Sequence, residues 1–260
     1  MASQLYRIQF PPSNSERLAQ DEVLFKVFEN GEPRRLRFHD YAEIYKRPGL
    51  YEELFYGRLR CNSPGKVMEL LQRALHTVRE PVTELRVLDL GAGNGMMGEV
   101  LKRDGVARLV GVDIVPEARD AAYRDRPTVY DAYYVADLGD TQTAVRDELA
   151  EWSFDCLTCV AALGFGDIPP RAFFNAIRLV QTRGWLAFNI KQSFLDSAEQ
   201  SGFAQLVRAL IFSKYLDIYH LELYRHRLSM EGTQLFYYAL VGRLTAPLPD
   251  DFLHSRGIEE

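Results

Sequence analysis

Arg86-Val87-Leu88-Asp89-Leu90-Gly91-Ala92-Gly93-Asn94-Gly95-Met96-Met97-Gly98-Glu99-Val100-Leu101 is the stretch on which the fold of this chain turns. A short apolar run with a carboxylate near its end, then glycines at alternate positions, then an amphipathic run, reads as strand, tight turn and helix N-terminus. Glycines let the backbone turn sharply and approach a ligand with no Cβ in the way, and the N–H groups of a helix start can bind a carboxylate or phosphate. The pattern is that of a nucleotide-cofactor cradle, and it leaves open which cofactor.

Asp89 bears on that choice. A carboxylate two residues before Gly91 would oppose the phosphates of a dinucleotide, whereas it suits a cationic ligand such as S-adenosylmethionine, which carries an ammonium and a sulfonium. Gly93-Asn94-Gly95-Met96-Met97-Gly98 also satisfies G-x-G-x-x-G, so spacing alone keeps a dinucleotide possible. In these residues the chain resembles the class I S-adenosylmethionine-dependent methyltransferases, whose first motif, acidic-x-Gly-x-Gly-x-Gly, is matched by Asp89, Gly91, Gly93 and Gly95. The resemblance implies S-adenosylmethionine as cofactor, with Asp89, Gly91, Ala92 and Gly93 around its methionine end.

At 260 residues the chain can bury a proper core. Its net charge of −5, with Lys and Arg interspersed among Asp and Glu, provides no footprint for a nucleic-acid backbone, so no nucleic-acid partner is expected. The amino terminus lacks a basic region followed by an apolar segment, and no uninterrupted apolar stretch approaches membrane length. We therefore expect a soluble cytoplasmic protein with no membrane partner. The three cysteines do not form a secreted framework. Cys156 and Cys159 have C-x-x-C spacing, but they lie in an apolar run that reads as a strand, where residues three apart face opposite ways, and are expected in the core. The histidines include no H-E-x-x-H arrangement, so no metal site is expected, and neither a G-x-S-x-G elbow nor a P-loop is present.

Residues 1 to about 20 are polar and without period. From Val23 to Arg60 the chain is rich in aromatics, and Tyr41, Ile44 and Tyr45 share a helical face, as do Tyr51 and Phe55. This predicts a helical layer, so that residues 1–62 form an amino-terminal arm and helical lid ahead of a cofactor-binding domain over 63–260. Ser63-Pro64 opens an amphipathic helix that ends near Glu80-Pro81. Strands are then expected at Arg86–Leu90, Arg108–Asp113, Asp131–Asp137, Phe154–Val160 and Gly184–Lys191. Helices between them start after the glycine turn, near Pro116, at 141 and at Pro169, the alternation of a parallel sheet covered on both faces. A helix over 202–212 precedes a half-exposed strand in which Tyr219, Leu221 and Leu223 alternate with His220, Glu222 and Tyr224. Met230-Glu231-Gly232-Thr233 turns the chain into a buried strand over Leu235–Leu244, which makes the last pair antiparallel. The fold expected is a Rossmann-like, seven-stranded, mostly parallel α/β sheet with a C-terminal antiparallel hairpin, a further resemblance to class I methyltransferases.

In open α/β sheets, ligands bind beyond the carboxyl ends of the strands. Asp113, twenty residues beyond Gly93, ends the second strand, where a carboxylate can accept from both ribose hydroxyls; an N-cap role for the next helix is the alternative. By resemblance, Asp137 would accept from the adenine amino group, Ile114 and Leu138 would sandwich the ring, and Val160 and Ala161 would lie along the methionine portion. An N-cap role competes for Asp137 as well. The Asn- or Asp-Pro-Pro-aromatic motif that adenine-directed and some amide-directed members carry after the fourth strand is missing, which disfavours a nucleobase target, and Val160 to Pro170 looks more like a group of small-molecule methyltransferases. The resemblance thus implies in-line methyl transfer to a small-molecule acceptor, with no catalytic base identified. An NAD-type oxidoreductase and a non-catalytic S-adenosylmethionine-binding sensor are the alternatives. The methyl group is expected to point towards 163–167 and the exit of the fifth strand, with Tyr41, Tyr45 and Phe165 lining an apolar acceptor pocket and Asp167 and Lys191 as its polar groups.

Overall fold

The computed structural model describes residues 6–11, 24–29, 31–140, 144–163, 168–195 and 202–258. Its amino-terminal part departs from the helical expectation. A three-stranded antiparallel sheet, β1 (Arg7–Gln9), β2 (Leu24–Glu29) and β3 (Glu32–Arg37), comes first. In β2, buried Phe25 and Val27 alternate with outward Leu24 and Lys26, the period of a strand rather than a helix. Glu29 pairs with Glu32 across the turn that contains Gly31 at φ +87°. Only then come the short α1 (Tyr41–Tyr45) and a π-helical segment, Glu52–Arg58. These pieces share a small core of their own, including Phe25, Val27, Phe38, Ile44, Leu50, Leu54 and Phe55.

The helix α2 (Ser63–Val78) carries Pro64 in its first turn and ends where Arg79 adopts a left-handed conformation ahead of Pro81. From there strands and helices alternate: β4 (Arg86–Leu90), α3 (Met96–Arg103), β5 (Arg108–Asp113), α4 (Pro116–Asp125), β6 (Ala132–Val135), α5 (Ala144–Glu151), β7 (Phe154–Cys159), α6 (Pro170–Arg178) and β8 (Val180–Lys191). After α7 (Gly202–Phe212), β9 (Leu216–Leu228) and β10 (Gln234–Leu244) form the closing hairpin. Strand order in the seven-stranded sheet is β6-β5-β4-β7-β8-β10-β9, with β10 antiparallel to both neighbours and the other six strands running parallel to one another.

The side-chain period of two divides the strands between two cores. Leu88, Leu90, Val110, Val112, Leu157 and Phe188 meet α5, α6 and α7 on one face; Val87, Leu109, Trp185 and Ala187 meet α2, α3 and α4 on the other. Each such Leu or Phe contributes roughly 1.5–3 kcal/mol on burial, so a one-residue slip of register would forfeit both cores. Cys156 and Cys159 are both buried, one in each core, as their spacing required. The sixth strand departs in detail: β9 lies at the sheet edge, where Leu223 is exposed while Tyr224 turns inward. Among the described residues no helix is long and apolar enough to cross a membrane, and no cluster of His, Cys, Asp or Glu is placed to hold a metal ion.

Candidate active site

The order of strands reverses between β4 and β7, since the chain leaves β4 for β5 on one side and returns to β7 on the other. At that switch point the carboxyl ends of β4 to β7 open onto one cavity of about 280 Å³, near the lower end of the roughly 300–1,000 Å³ typical of ligand pockets. Its walls include Gly91 after β4, Asp113 and Ile114 after β5, Asp137 and Leu138 after β6, and Val160 and Ala161 after β7. Tyr41, Tyr45 and Tyr51, from the amino-terminal part, complete the lining.

Gly91 and Gly93 sit at φ +67° and +54°, where a side chain strains the backbone. A Cβ on Gly91 would come within 2.7 Å of the Ala162 Cβ, and one on Gly93 within 2.5 Å of the Tyr45 hydroxyl. The turn is thus closed in on both sides. Asp113 holds it from below, one carboxylate oxygen accepting the Gly93 N–H at 2.9 Å and the other the Val115 N–H at 2.9 Å. Asp137 accepts the Gly139 N–H at 2.7 Å, the turn-forming use that competed with a ligand role, while its residue still faces the cavity. Ile114 is 58% exposed, an apolar side chain left on the rim opposite no core, and Leu138 beside it is buried. Two carboxylates beside N–H groups of a glycine turn and an exposed apolar rim fit an adenosine with an amino-acid tail.

Asp89 takes a different place from the one its motif suggested. It is 1% exposed, does not line the cavity, and accepts from the Tyr130 hydroxyl at 2.8 Å and the Thr158 hydroxyl at 2.7 Å. Burial pushes its carboxyl up to about 6, against the downward pull of those two hydroxyls, and nearby Asp113 pushes in the same direction as burial. Ala92 packs into the α2–α4 core, and Gly93 is covered by Tyr45. Lys191 ends β8 and is not among the described lining residues of this cavity or of the recess beside it. Phe165 and Asp167 lie outside the described residues.

Several residues on the site carry no motif. Glu52, at the start of the π-helical segment, accepts from Asn94 Nδ2 and from Arg126 Nη1, both at 2.7 Å, pinning that segment to the glycine turn. Arg124 donates to the Tyr45 carbonyl at 3.0 Å. Asn189 is buried in β8, and its Oδ1 accepts the Ala161 N–H at 2.7 Å. A polar residue inside the run Leu186-Ala187-Phe188-Asn189-Ile190 was the visible signal for it.

Residues 88–188 match the family described as a methyltransferase domain. That segment, about two-fifths of the chain, is similar to a methyltransferase domain. This methyltransferase shares its fold with the N-methyltransferase NodS from Bradyrhizobium japonicum, solved with S-adenosyl-L-homocysteine, at 15% identity, over 80% of this chain and 98% of that one, with a TM-score of 0.51. Similar too are magnesium protoporphyrin IX methyltransferase from Synechocystis, at 13% identity over 70% and 79% with a TM-score of 0.46, and ribosomal protein L11 methylase from Lactobacillus delbrueckii, at 16% over 70% and 79% with 0.46. No curated protein matches the sequence of this methyltransferase. Its sheet also answers the dinucleotide alternative: a seventh strand inserted antiparallel between the fifth and sixth is not the 3-2-1-4-5-6 order of the dinucleotide fold.

Two expectations follow. A carboxyl whose folded pKa lies above its unfolded value stabilises the fold below the latter and loses that stability as pH rises through about 6. Relative to wild type, Asp89→Asn should therefore gain roughly 3 kcal/mol between about pH 3.5 and about pH 7.5, from a shift of about two units, read by urea unfolding at both values; a pH-independent difference contradicts it. Gly93→Ala should destabilise by about 1–3 kcal/mol through left-handed strain plus the Tyr45 clash, and adding Tyr45→Phe should recover only the clash part. Additivity of the two changes in a thermal-denaturation cycle would show that Tyr45 does not press on the turn.

Proposed function

We propose that this methyltransferase transfers the methyl group to a small molecule held beneath its aromatic lid. The observation that carries this reading is the roof. Tyr41, Tyr45 and Tyr51 stand over the same cavity as Gly91, Asp113 and Ala161, and rings of Tyr41, Tyr45, Tyr51 and Phe55 are packed in series with centroids 4.6–6.4 Å apart. A centre roofed in this way suits an acceptor of few atoms, and the net charge of −5 disfavours a polyanion. The domain boundary near residue 62 belongs to the same reading, the residues before it serving as the cover.

The bound cofactor would supply a methyl group activated by a sulfonium, and the chain's own residues would do the rest. Asp113 accepts from the ribose hydroxyls while its backbone partners hold the turn. Asp137, Ile114 and Leu138 hold the adenine, Gly91 offers close backbone approach to the methionine portion, and Val160 and Ala161 run alongside it. Ala92, Gly93 and Asp89 act beneath, shaping the turn. Tyr41 and Tyr45 exclude water and align the acceptor for in-line attack, which is where most of the acceleration comes from when the methyl group is already activated.

Asp113→Ala should weaken S-adenosylmethionine binding by about 1–3 kcal/mol in calorimetric titration; unchanged affinity would remove Asp113 from the site. The acceptor class is tested by supplying methyl-labelled S-adenosylmethionine with a cell extract divided by ultrafiltration. Label is expected in products of the low-molecular-mass fraction, and label confined to retained RNA or protein would sink the small-molecule reading.

A further inference from the structure

The tyrosines that roof the cofactor cavity do not stop at its edge. Tyr41 and Tyr51, with Ala161 and Ala162, are also walls of a smaller recess behind it, which is lined as well by Phe38 and by His226 and Arg227 of β9. The roof therefore extends beyond the residues assigned to the cofactor. Resting on the small-molecule reading above, we infer that this roof is built for positive charge and that the acceptor is an amine, methylated on nitrogen to an ammonium.

The cavity wall has one sign. Asp113 and Asp137 are the charged side chains among its described residues, and none there is basic. The segment between Leu163 and Ile168 lies outside the described residues, and its sequence, Gly164-Phe165-Gly166-Asp167, contains an aromatic ring and a carboxylate but no cation. The Arg227 guanidinium, 4.8 Å from the Phe38 ring centroid, lines the recess and not the cavity.

The roof adds a softer negative potential. A phenol ring carries negative charge on its faces, which attracts a desolvated ammonium and offers an anion nothing. Tyr45 and Tyr51 have centroids 5.1 Å apart, and Tyr41 and Tyr45 6.2 Å, so a cation seated against one ring is near the next, within the roughly 6 Å over which rings attract it. Burial pushes the Tyr45 and Tyr51 hydroxyls above the usual phenol range, with Asp113 pressing the same way, so both stay neutral phenols. A sulfonium alone does not account for rings that continue into the recess.

In-line transfer to a neutral amine keeps one positive charge in the cavity from start to finish. The nitrogen lone pair forms the new bond to the methyl carbon, the carbon–sulfur bond breaks with its electron pair passing to sulfur, and the charge that leaves the sulfonium appears on nitrogen. A proton carried by that nitrogen, where there is one, then leaves to water, so the step needs no general base on the wall. A thiolate, phenolate or carboxylate acceptor would enter desolvated beside two carboxylates with no basic group to meet it. Its charge would then be annihilated by transfer, leaving the ring faces little to stabilise in the transition state.

The test uses the full chain saturated with S-adenosylhomocysteine and titrated calorimetrically with choline, a trimethylammonium mimic of the product, and with dimethylbutanol, the isostere in which carbon replaces the charged nitrogen. Choline should bind about tenfold or more tightly than dimethylbutanol. Tyr41→Leu, which removes a ring face, should cut that preference about threefold or more, and Tyr41→Phe, which keeps the face, should retain it. Equal affinities in the wild type, or a preference that Tyr41→Leu leaves intact, overturns the proposal. Should Tyr41→Leu not fold, Tyr51→Leu serves with the same two outcomes, and the wild-type comparison decides without either. Absence of S-adenosylhomocysteine binding, or label confined to macromolecules in the extract assay, overturns the functional reading beneath the proposal, whereas S-adenosylhomocysteine binding without a choline preference overturns the amine alone.

Discussion

A carboxylate sealed away from water sets the terms for everything around the glycine turn. Asp89, Gly111, Tyr133 and Thr158 occupy one row across the sheet, Asp89 in register with Gly111 and Thr158, and Gly111 with Tyr133. An uncompensated carboxylate there would be prohibitive, and two hydroxyl donors make it tolerable without making it comfortable. One of those donors reaches it only because Gly111 lacks a side chain: a Cβ would meet Tyr133 at 2.9 Å and Tyr130 at 3.1 Å. The Tyr133 hydroxyl in turn donates to the Gly93 carbonyl at 2.7 Å, so the same row that satisfies Asp89 also fixes the turn above it. The acid of the motif acts here by organising the floor of the cradle.

The cover depends on that turn as much as the turn depends on its floor. Tyr45 rests its hydroxyl against Gly93, Asn94 and Arg126 converge on Glu52, and Tyr45 packs against Ala118 and Ala121 of α4. Arg126 also reaches Glu99 at 3.0 Å, so one largely buried guanidinium joins the amino-terminal part, the turn and the first crossover helix. Ion pairs at exposed sites contribute little, but a hydrogen-bonded one with a largely buried guanidinium is costly to break from one side. The amino-terminal part is therefore coupled to the glycine turn.

The sheet was legible because its signals are local. Five strands and the closing pair announce themselves as apolar runs flanked by proline, glycine and charge, and their observed limits differ from the expected ones by a few residues, most at the start of β8. The amino-terminal part was misread because dense aromatics satisfy a helical spacing by chance, while the period-two alternation of Phe25 and Val27 and the Asn30-Gly31 pair, a hairpin signal, pointed to strands. The cavity-lining residues Asp113, Ile114, Asp137, Leu138, Val160 and Ala161 all follow strand ends, and it was the family resemblance together with those ends that singled them out. Arg227, His226, Asn189 and Glu52 could not, since each reaches the site through tertiary pairing between segments far apart in sequence, and a strand such as β9 gives no hint of which half is covered.

Ala161 shows how the two halves of the site are held to one geometry. It adopts φ +61°, a conformation that is strained for a residue with a Cβ, by roughly 1–2 kcal/mol. What holds it is the Asn189 side chain, and Asn189 is itself held by Tyr224, which shares the Ser63 hydroxyl with His226. The strain and its support meet at a residue that walls both the cofactor cavity and the recess behind it. In-line transfer tolerates little misalignment between attacking atom and leaving group, and a shared wall fixed by a buried network positions both partners from a single point. A relaxed, solvent-facing loop at Ala161 would let the two drift independently, so the polar network beneath the closing hairpin is as much part of the methyl-transfer geometry as the glycine turn.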